Sequence, residues 1–142
     1  MLVRDILKKK GNKVFTASPD TLIGEIAITL AKENIGAVVI LDNDLVVGIL
    51  SERDVVRGFT QYESVRKTKA KELMTKKVVS CTKQDRTEEL LELMVKKHFR
   101  HMPVIENNKL TGVISIGDLV KDRTKRLKKE IDQLKSCVTK SY

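Results

Sequence analysis

Two Ser-x-x-Asp pairs, Ser51 with Asp54 and Ser115 with Asp118, are the side chains of this 142-residue sequence best placed to do chemistry. Each follows a glycine and two apolar residues, in Gly48-Ile49-Leu50-Ser51-Glu52-Arg53-Asp54 and again in Gly112-Val113-Ile114-Ser115-Ile116-Gly117-Asp118. That order predicts a strand delivering the chain into the first turn of a helix. Such a helix start carries N–H groups without partners and a partial positive charge, and both favour an anion. The same pattern has a plainer use. Serine followed three residues later by an acidic group is a capping box, here with Asp in place of Glu. The two uses are compatible, since a capping serine sits where a phosphate would dock, and the sequence leaves both open.

The chemistry is duplicated because the chain is. Residues 16–57 align on residues 80–121 at a constant offset of 64, without a gap. Seven of the 42 pairs are identical, and four of these (Asn43/Asn107, Gly48/Gly112, Ser51/Ser115, Asp54/Asp118) fall in the turn and the junction. A repeat that also preserves its apolar pattern reads as two copies of one supersecondary unit.

Each copy predicts strand, helix, strand, strand, helix. In the first, residues 14–16 form a short strand and Ser18-Pro19 opens a helix, serine as cap and proline at the first helical position. Leu22, Ile23, Ile26, Ala27, Leu30 and Ala31 then recur at helical spacing, up to a stop at residues 34–36. Residues 37–41 and 45–50 read as strands joined by Asp42-Asn43-Asp44. In the second copy Thr82 is the expected cap, Leu90, Leu91, Met94 and Val95 the inward face, and Asn107-Asn108 the turn. Residues 60–68 are polar and read as a linker, which divides the chain into a first unit at 1–62 and a second at 63–124. The first copy's last helix is expected to stop near Gly58; its counterpart meets no Gly or Pro. Val120, Thr124, Leu127, Ile131, Leu134 and Val138 alternate steps of four and three, a heptad seam. Residues 125–142 therefore predict a basic amphipathic extension, expected to lie on the body of the protein or on a dimer mate, the alternative being a protruding arm that grips a target protein.

Composition narrows the classes. The chain is 41% hydrophobic and 33% charged, sufficient for one compact domain with a substantial core. No apolar run approaches the ~18 residues of a membrane span, and residues 1–10 lack the apolar centre of a signal peptide, so a cytoplasmic protein is expected. Cys81 and Cys137 have no metal-site spacing and read as inert thiols. His98 at a helix end and His101 in a strand do not make a metal pair. No Ser/His/Asp arrangement or phosphate-cradling G-x-x-x-x-G-K is visible, which argues against an enzyme.

The duplicated β-α-β-β-α unit, its two glycine-led Ser-x-x-Asp junctions and the segment Arg100-His101-Met102-Pro103-Val104 resemble a tandem pair of CBS domains (a Bateman module), here read as standing alone. The resemblance covers nearly the whole chain up to about residue 121. It implies an α+β fold in which two pseudo-symmetric units pack through their sheets, with the C-terminal helix as an addition. It further implies two clefts that take adenosine-containing ligands, most often AMP, ADP or ATP, a regulatory rather than catalytic role, and a homodimer. On that resemblance Asp54 and Asp118 receive the ribose hydroxyls, and Ser51 and Ser115 the ribose or phosphate. Thr16 and Ser80, Ile35 and Phe99, and Ala37 and His101 lie near the base. The clefts are expected to be unequal. Arg53 corresponds to Gly117, while Arg100 and His101 correspond to Gly36 and Ala37, and a guanidinium near a cleft can grip two phosphate oxygens.

The basic balance supports another class. There are 28 Lys and Arg against 19 Asp and Glu, a net charge of +9, and eight Lys/Arg to three Asp/Glu lie beyond residue 118. That suits a nucleic-acid-binding accessory protein. Aromatic content of 4% leaves little for base stacking, and a ligand-free interaction scaffold is the remaining alternative.

Overall fold

Asparagine and aspartate at the tips of two hairpins set the sheets. The computed structural model describes the backbone of residues 1–11 and 13–140 and the side chains of these up to residue 138; Asn12, Ser141 and Tyr142 lie outside the described residues. The first hairpin joins β2 (Ala37–Asp42) to β3 (Leu45–Ser51), and the second joins β4 (His101–Glu106) to β5 (Lys109–Ser115). Asn43 and Asp44 have φ of 50° and 64°, and Asn107 and Asn108 have 49° and 65°. Two successive positive φ values make the tight turn whose twist matches paired strands, and Asn and Asp tolerate it. Both hairpins shift register after the fourth pair, at Ile40/Leu41 and at Val104/Ile105. The copies thus share even their irregularity. A two-residue β1 (Thr16–Ala17) adds to β2 in parallel, while Cys81 makes only an isolated parallel bridge to Val104 in the second copy. The two sheets meet along β3 and β5.

Helices cover the sheets with apolar stripes. In α2 (Ile23–Glu33) Ile23, Ile26 and Leu30 are buried, and in α5 (Thr87–Lys97) Thr87, Leu90 and Met94 are, while Leu22, Ala31 and Val95, expected to face inward, are exposed at the edges of these stripes. Asn34 (φ 53°) and His98 (φ 59°) end these helices at matching positions, both left-handed. Both starts differ from expectation. Ser18 donates its N–H to Thr21 Oγ1 at 3.0 Å, and Thr82 donates its own to Asp85 Oδ2 at 2.7 Å. Each forms a turn, the other use of the same capping chemistry. The helices begin later because Leu22 and Arg86 are held extended, bridging to Lys69 and Leu2.

Those bridges reveal a second repeat, in which Leu2 and Lys69 are 67 apart rather than 64. After Leu2 comes α1 (Val3–Lys10), and after Lys69 comes α4 (Ala70–Leu73). Val3, Ile6 and Leu7 are buried among Cys81, Met94, Met102 and Ile114 of the second copy. Val65, Ala70 and Leu73 are buried among Ile26, Val38 and Leu50 of the first. Each copy therefore packs the helix that precedes the other, and core membership does not follow a division at residue 62. The expected polar linker is also structured: residues Val65–Lys67 form a 3-10 turn, and Val65 and Thr68 are buried. Gly58 does not stop α3 (Glu52–Gln61). It is a close-approach site, where a Cβ would stand 2.7 Å from both Leu73 Cδ1 and Val65 Cγ2.

The last helix, α6 (Ile116–Lys140), spans 25 residues. Arg126 ties it to the body, donating to Glu88 Oε1 at 2.7 Å. From Leu127 to Val138 every residue is exposed, so of the expected placements this stretch does not take the one on its own body. Among the described residues no helix is long and apolar enough to cross a membrane.

Candidate nucleotide-binding clefts

Each Ser-x-x-Asp junction forms the capping box that its spacing predicts. Asp54 Oδ2 accepts the Ser51 N–H at 2.9 Å and the Ser51 hydroxyl at 3.1 Å, while Asp54 N–H points at Ser51 Oγ, 3.4 Å away. Asp54 Oδ1 pairs with Arg57 at 3.0 Å, and the Asp54 side chain is only 4% exposed. Asp118 Oδ2 accepts the Ser115 N–H at 2.9 Å, and Asp118 N–H donates to Ser115 Oγ at 3.1 Å. Both carboxylates are thus bound to their own helix starts. What distinguishes the two sites is the space beside them.

Beside Asp54 lies a cavity of about 410 Å³ whose walls come from both copies. Ser51, Arg53 and Asp54 stand on one side, and Phe99, Arg100 and His101 on the other. Six of the expected site residues therefore converge, in a combination the sequence did not indicate: the junction of one copy faces the base-side residues of the other. Arg53 spans the gap, its Nη1 3.5 Å from the His98 carbonyl. Thr16, Ile35, Ala37, Ser80 and Ser115 do not line this cavity. Thr16 pairs with Val39 in the sheet, Ala37 pairs with Ser51, Ile35 packs on the first core, and Ser80 is exposed. Lys77, Val78, Val79 and Lys97 line it without having been foreseen. The sign for Lys77 was the repeat of 67, which places it opposite Lys10 in the pseudo-symmetry.

Lys10 shows what that position does in the other cleft. Its Nζ donates to Asp118 Oδ2 at 2.7 Å and to the Val113 carbonyl at 2.8 Å, so the chain's own ammonium occupies the outer face of Asp118. The remaining hollow is about 240 Å³ and contains Lys9, Lys121 and Lys125. Burial works against the charged form of Asp118, yet the hydrogen bond from Lys10 and those from Ser115 outweigh it, and its pKa lies below the ordinary carboxylate value. The clefts are unequal, as expected, but the second is smaller because a lysine fills it. Cys81 is buried, and burial with nearby Asp85 and Glu106 pushes its thiol up to about 12, an inert group.

His101 sits between the two clefts. Its ring fills the space that Gly36 leaves open, where a Cβ would stand 2.7 Å from Nε2. Burial, then the Lys10 ammonium, lowers its pKa; Asp118 and Glu52 oppose them, and Arg100 adds to them. A group that resists protonation only when folded makes stability fall as pH drops below its unfolded value of about 6.5. Thermal unfolding near pH 7.5 and near pH 5.5 should show that decline in the wild type. In His101→Gln the decline should shrink; an unchanged slope would assign it to another group.

Comparison with known proteins agrees with this architecture. The family model described as CBS domain matches residues 3–60 and 70–124. The crystal structure of a CBS-domain containing protein from Agrobacterium tumefaciens is 45% identical, with a TM-score of 0.83 over 87% of this chain and 99% of that one. A CBS domain pair solved with 5′-methylthioadenosine and S-adenosyl-L-methionine is 26% identical, with a TM-score of 0.76 over 85% of this chain and 98% of that one. An uncharacterized 17.7 kDa protein of Acidianus ambivalens is 34% identical over 111 residues; the match takes in 77% of this chain and 66% of that relative's length. Matched twice, with the two matches falling on the two copies, this chain belongs to the CBS domain family as a tandem pair.

Proposed function

We propose that this CBS pair is a regulatory module that binds an adenosine-containing nucleotide in the larger cleft and reports its occupancy through the relative placement of its two units. One observation carries the reading: a cavity of about 410 Å³ with the buried Asp54 on one unit facing Phe99 on the other. A flat base needs an apolar wall, and a cis-diol needs a carboxylate that accepts both hydroxyl protons. Among the described residues Asp54 Oδ1 is held by Arg57, whose side chain is 59% exposed. The guanidinium can turn out to solvent only if a ribose hydroxyl takes its place on the buried carboxylate, which must keep a partner.

The rim favours phosphates. Arg53, Arg57, Lys77, Lys97 and Arg100 line the cleft against Glu52 and Asp54 alone. That surplus suits AMP, ADP or ATP better than the sulfonium of S-adenosylmethionine. A ligand touching both units biases their arrangement by its differential affinity for the alternatives. Catalysis is not part of the proposal, since Asp54 and Asp118 line separate clefts and form no acid/base pair.

Calorimetry against AMP, ADP, ATP, NAD and S-adenosylmethionine tests the reading. Saturable binding, strongest for a phosphorylated member, is the expected result. Silence across the panel would make the module a ligand-free scaffold. Binding of RNA or DNA that survives at physiological salt, in place of nucleotide binding, would favour the accessory-protein alternative.

A further inference from the structure

The exposed half of α6 has no role in either cleft. Leu127, Ile131, Leu134 and Val138 are 48%, 52%, 67% and 59% exposed, a row of large apolar side chains directed into solvent. Among the described residues Arg126 is the last of the helix seated on the body, and none of them covers the row.

We propose that α6 pairs with α6 of a second copy of this chain as a parallel, in-register, two-stranded coiled coil over residues 120–138. The heptad positions specify the occupant. Thr124, Ile131 and Val138 fall at a, while Val120, Leu127 and Leu134 fall at d. β-Branched residues at a with leucine at d is the core chemistry of a parallel pair of like helices. The flanking charges balance in either direction, so the core chemistry alone specifies it. In a parallel pair Glu130 at g lies opposite Lys135 at e of the second copy, an attractive contact, and Arg123 at g lies opposite Lys128 at e, a repulsive one. An antiparallel pair would instead set the e positions, Lys128 and Lys135, against those of the second copy, and the g positions, Arg123 and Glu130, against each other. The basic residues occupy the flanks and the outer face, leaving the seam itself uncharged; a nucleic acid would engage the flanks and leave the seam wet.

The test uses the full chain carrying Cys137→Ser, with a single cysteine placed by Ile131→Cys, Val138→Cys or Lys129→Cys. The first two are a positions that face their counterparts across a parallel seam, whereas Lys129 lies at f, directed away. On mild oxidation both a-position variants should give a disulfide-linked dimer in at least about tenfold higher yield than Lys129→Cys, because only they bring two Cβ atoms within disulfide reach. Adding Leu127→Asp and Leu134→Asp should abolish the crosslink while leaving the clefts intact, so calorimetry on that variant separates this proposal from the nucleotide reading. Equal yields at all three positions would overturn it. So would a crosslink at only one a position, as in an antiparallel pair, one that survives the two aspartates, or a monomer whose helix captures nucleic acid or another protein.

Discussion

Asp54→Asn is expected to weaken nucleotide binding in the larger cleft by at least about tenfold while leaving the fold nearly as stable as before. A tenfold loss is about 1.4 kcal/mol, within the roughly 1.5–3 kcal/mol of a hydrogen bond to a charged group. The asparagine carbonyl can still accept the Ser51 N–H that Asp54 Oδ2 accepts at 2.9 Å, so the helix start keeps its cap. What it lacks is the second anionic oxygen for a diol. Asp54→Ala is the less informative variant, because removing the box costs about 0.5–2 kcal/mol of stability along with any ligand contact. Calorimetry paired with thermal unfolding separates the two effects. Unchanged affinity in Asp54→Asn would confine this buried carboxylate to capping and Arg57.

Lys10→Met should open the smaller cleft. The Lys10 ammonium holds Asp118 Oδ2 at 2.7 Å and the Val113 carbonyl at 2.8 Å, the positions a ligand hydroxyl would need. Methionine keeps the length and the apolar stem but releases the carboxylate. The expected result is a rise in calorimetric stoichiometry from about one nucleotide per chain towards two, with Lys9, Lys121 and Lys125 available to the phosphates. The variant should lose little stability, since the pair is partly exposed and such pairs contribute about 0–1 kcal/mol. The pKa of Asp118 should rise once Lys10 is gone, a shift that NMR titration would register. If stoichiometry stays where it was, the inequality of the clefts has another origin.

Much of this architecture was legible because its signals are local. The junctions at Gly48–Asp54 and Gly112–Asp118, the hairpin tips at Asn43 and Asn107 and the buried Ile23, Ile26, Leu30, Leu90 and Met94 follow from spacing within a few residues, whereas Leu22, Ala31 and Val95, at the edges of the same stripes, are exposed. The misplaced helix starts are local too. Ser18 and Thr82 cap a turn instead of a helix, and only the bridges of Leu22 to Lys69 and Arg86 to Leu2 decide which. What could not be read was the exchange between copies. The repeat of α1 and α4 runs at 67 rather than 64, and nothing along the chain announces that Leu7 packs against Gly112 or that Lys10 meets Asp118. The composition of the larger cleft was hidden for the same reason, since Asp54 and Phe99 come together only through that packing.

The exchanged helices also determine what a cut would do. Severing the backbone near Lys76 would leave Val3, Ile6 and Leu7 on one fragment while their seats among Met94, Met102 and Ile114 remain on the other. The fragments would stay clasped, because parting them strips the apolar face of α1 from its bed. Neither half can be lifted out and transplanted as a self-sufficient piece, and a protease acting there would nick the molecule without dismantling it.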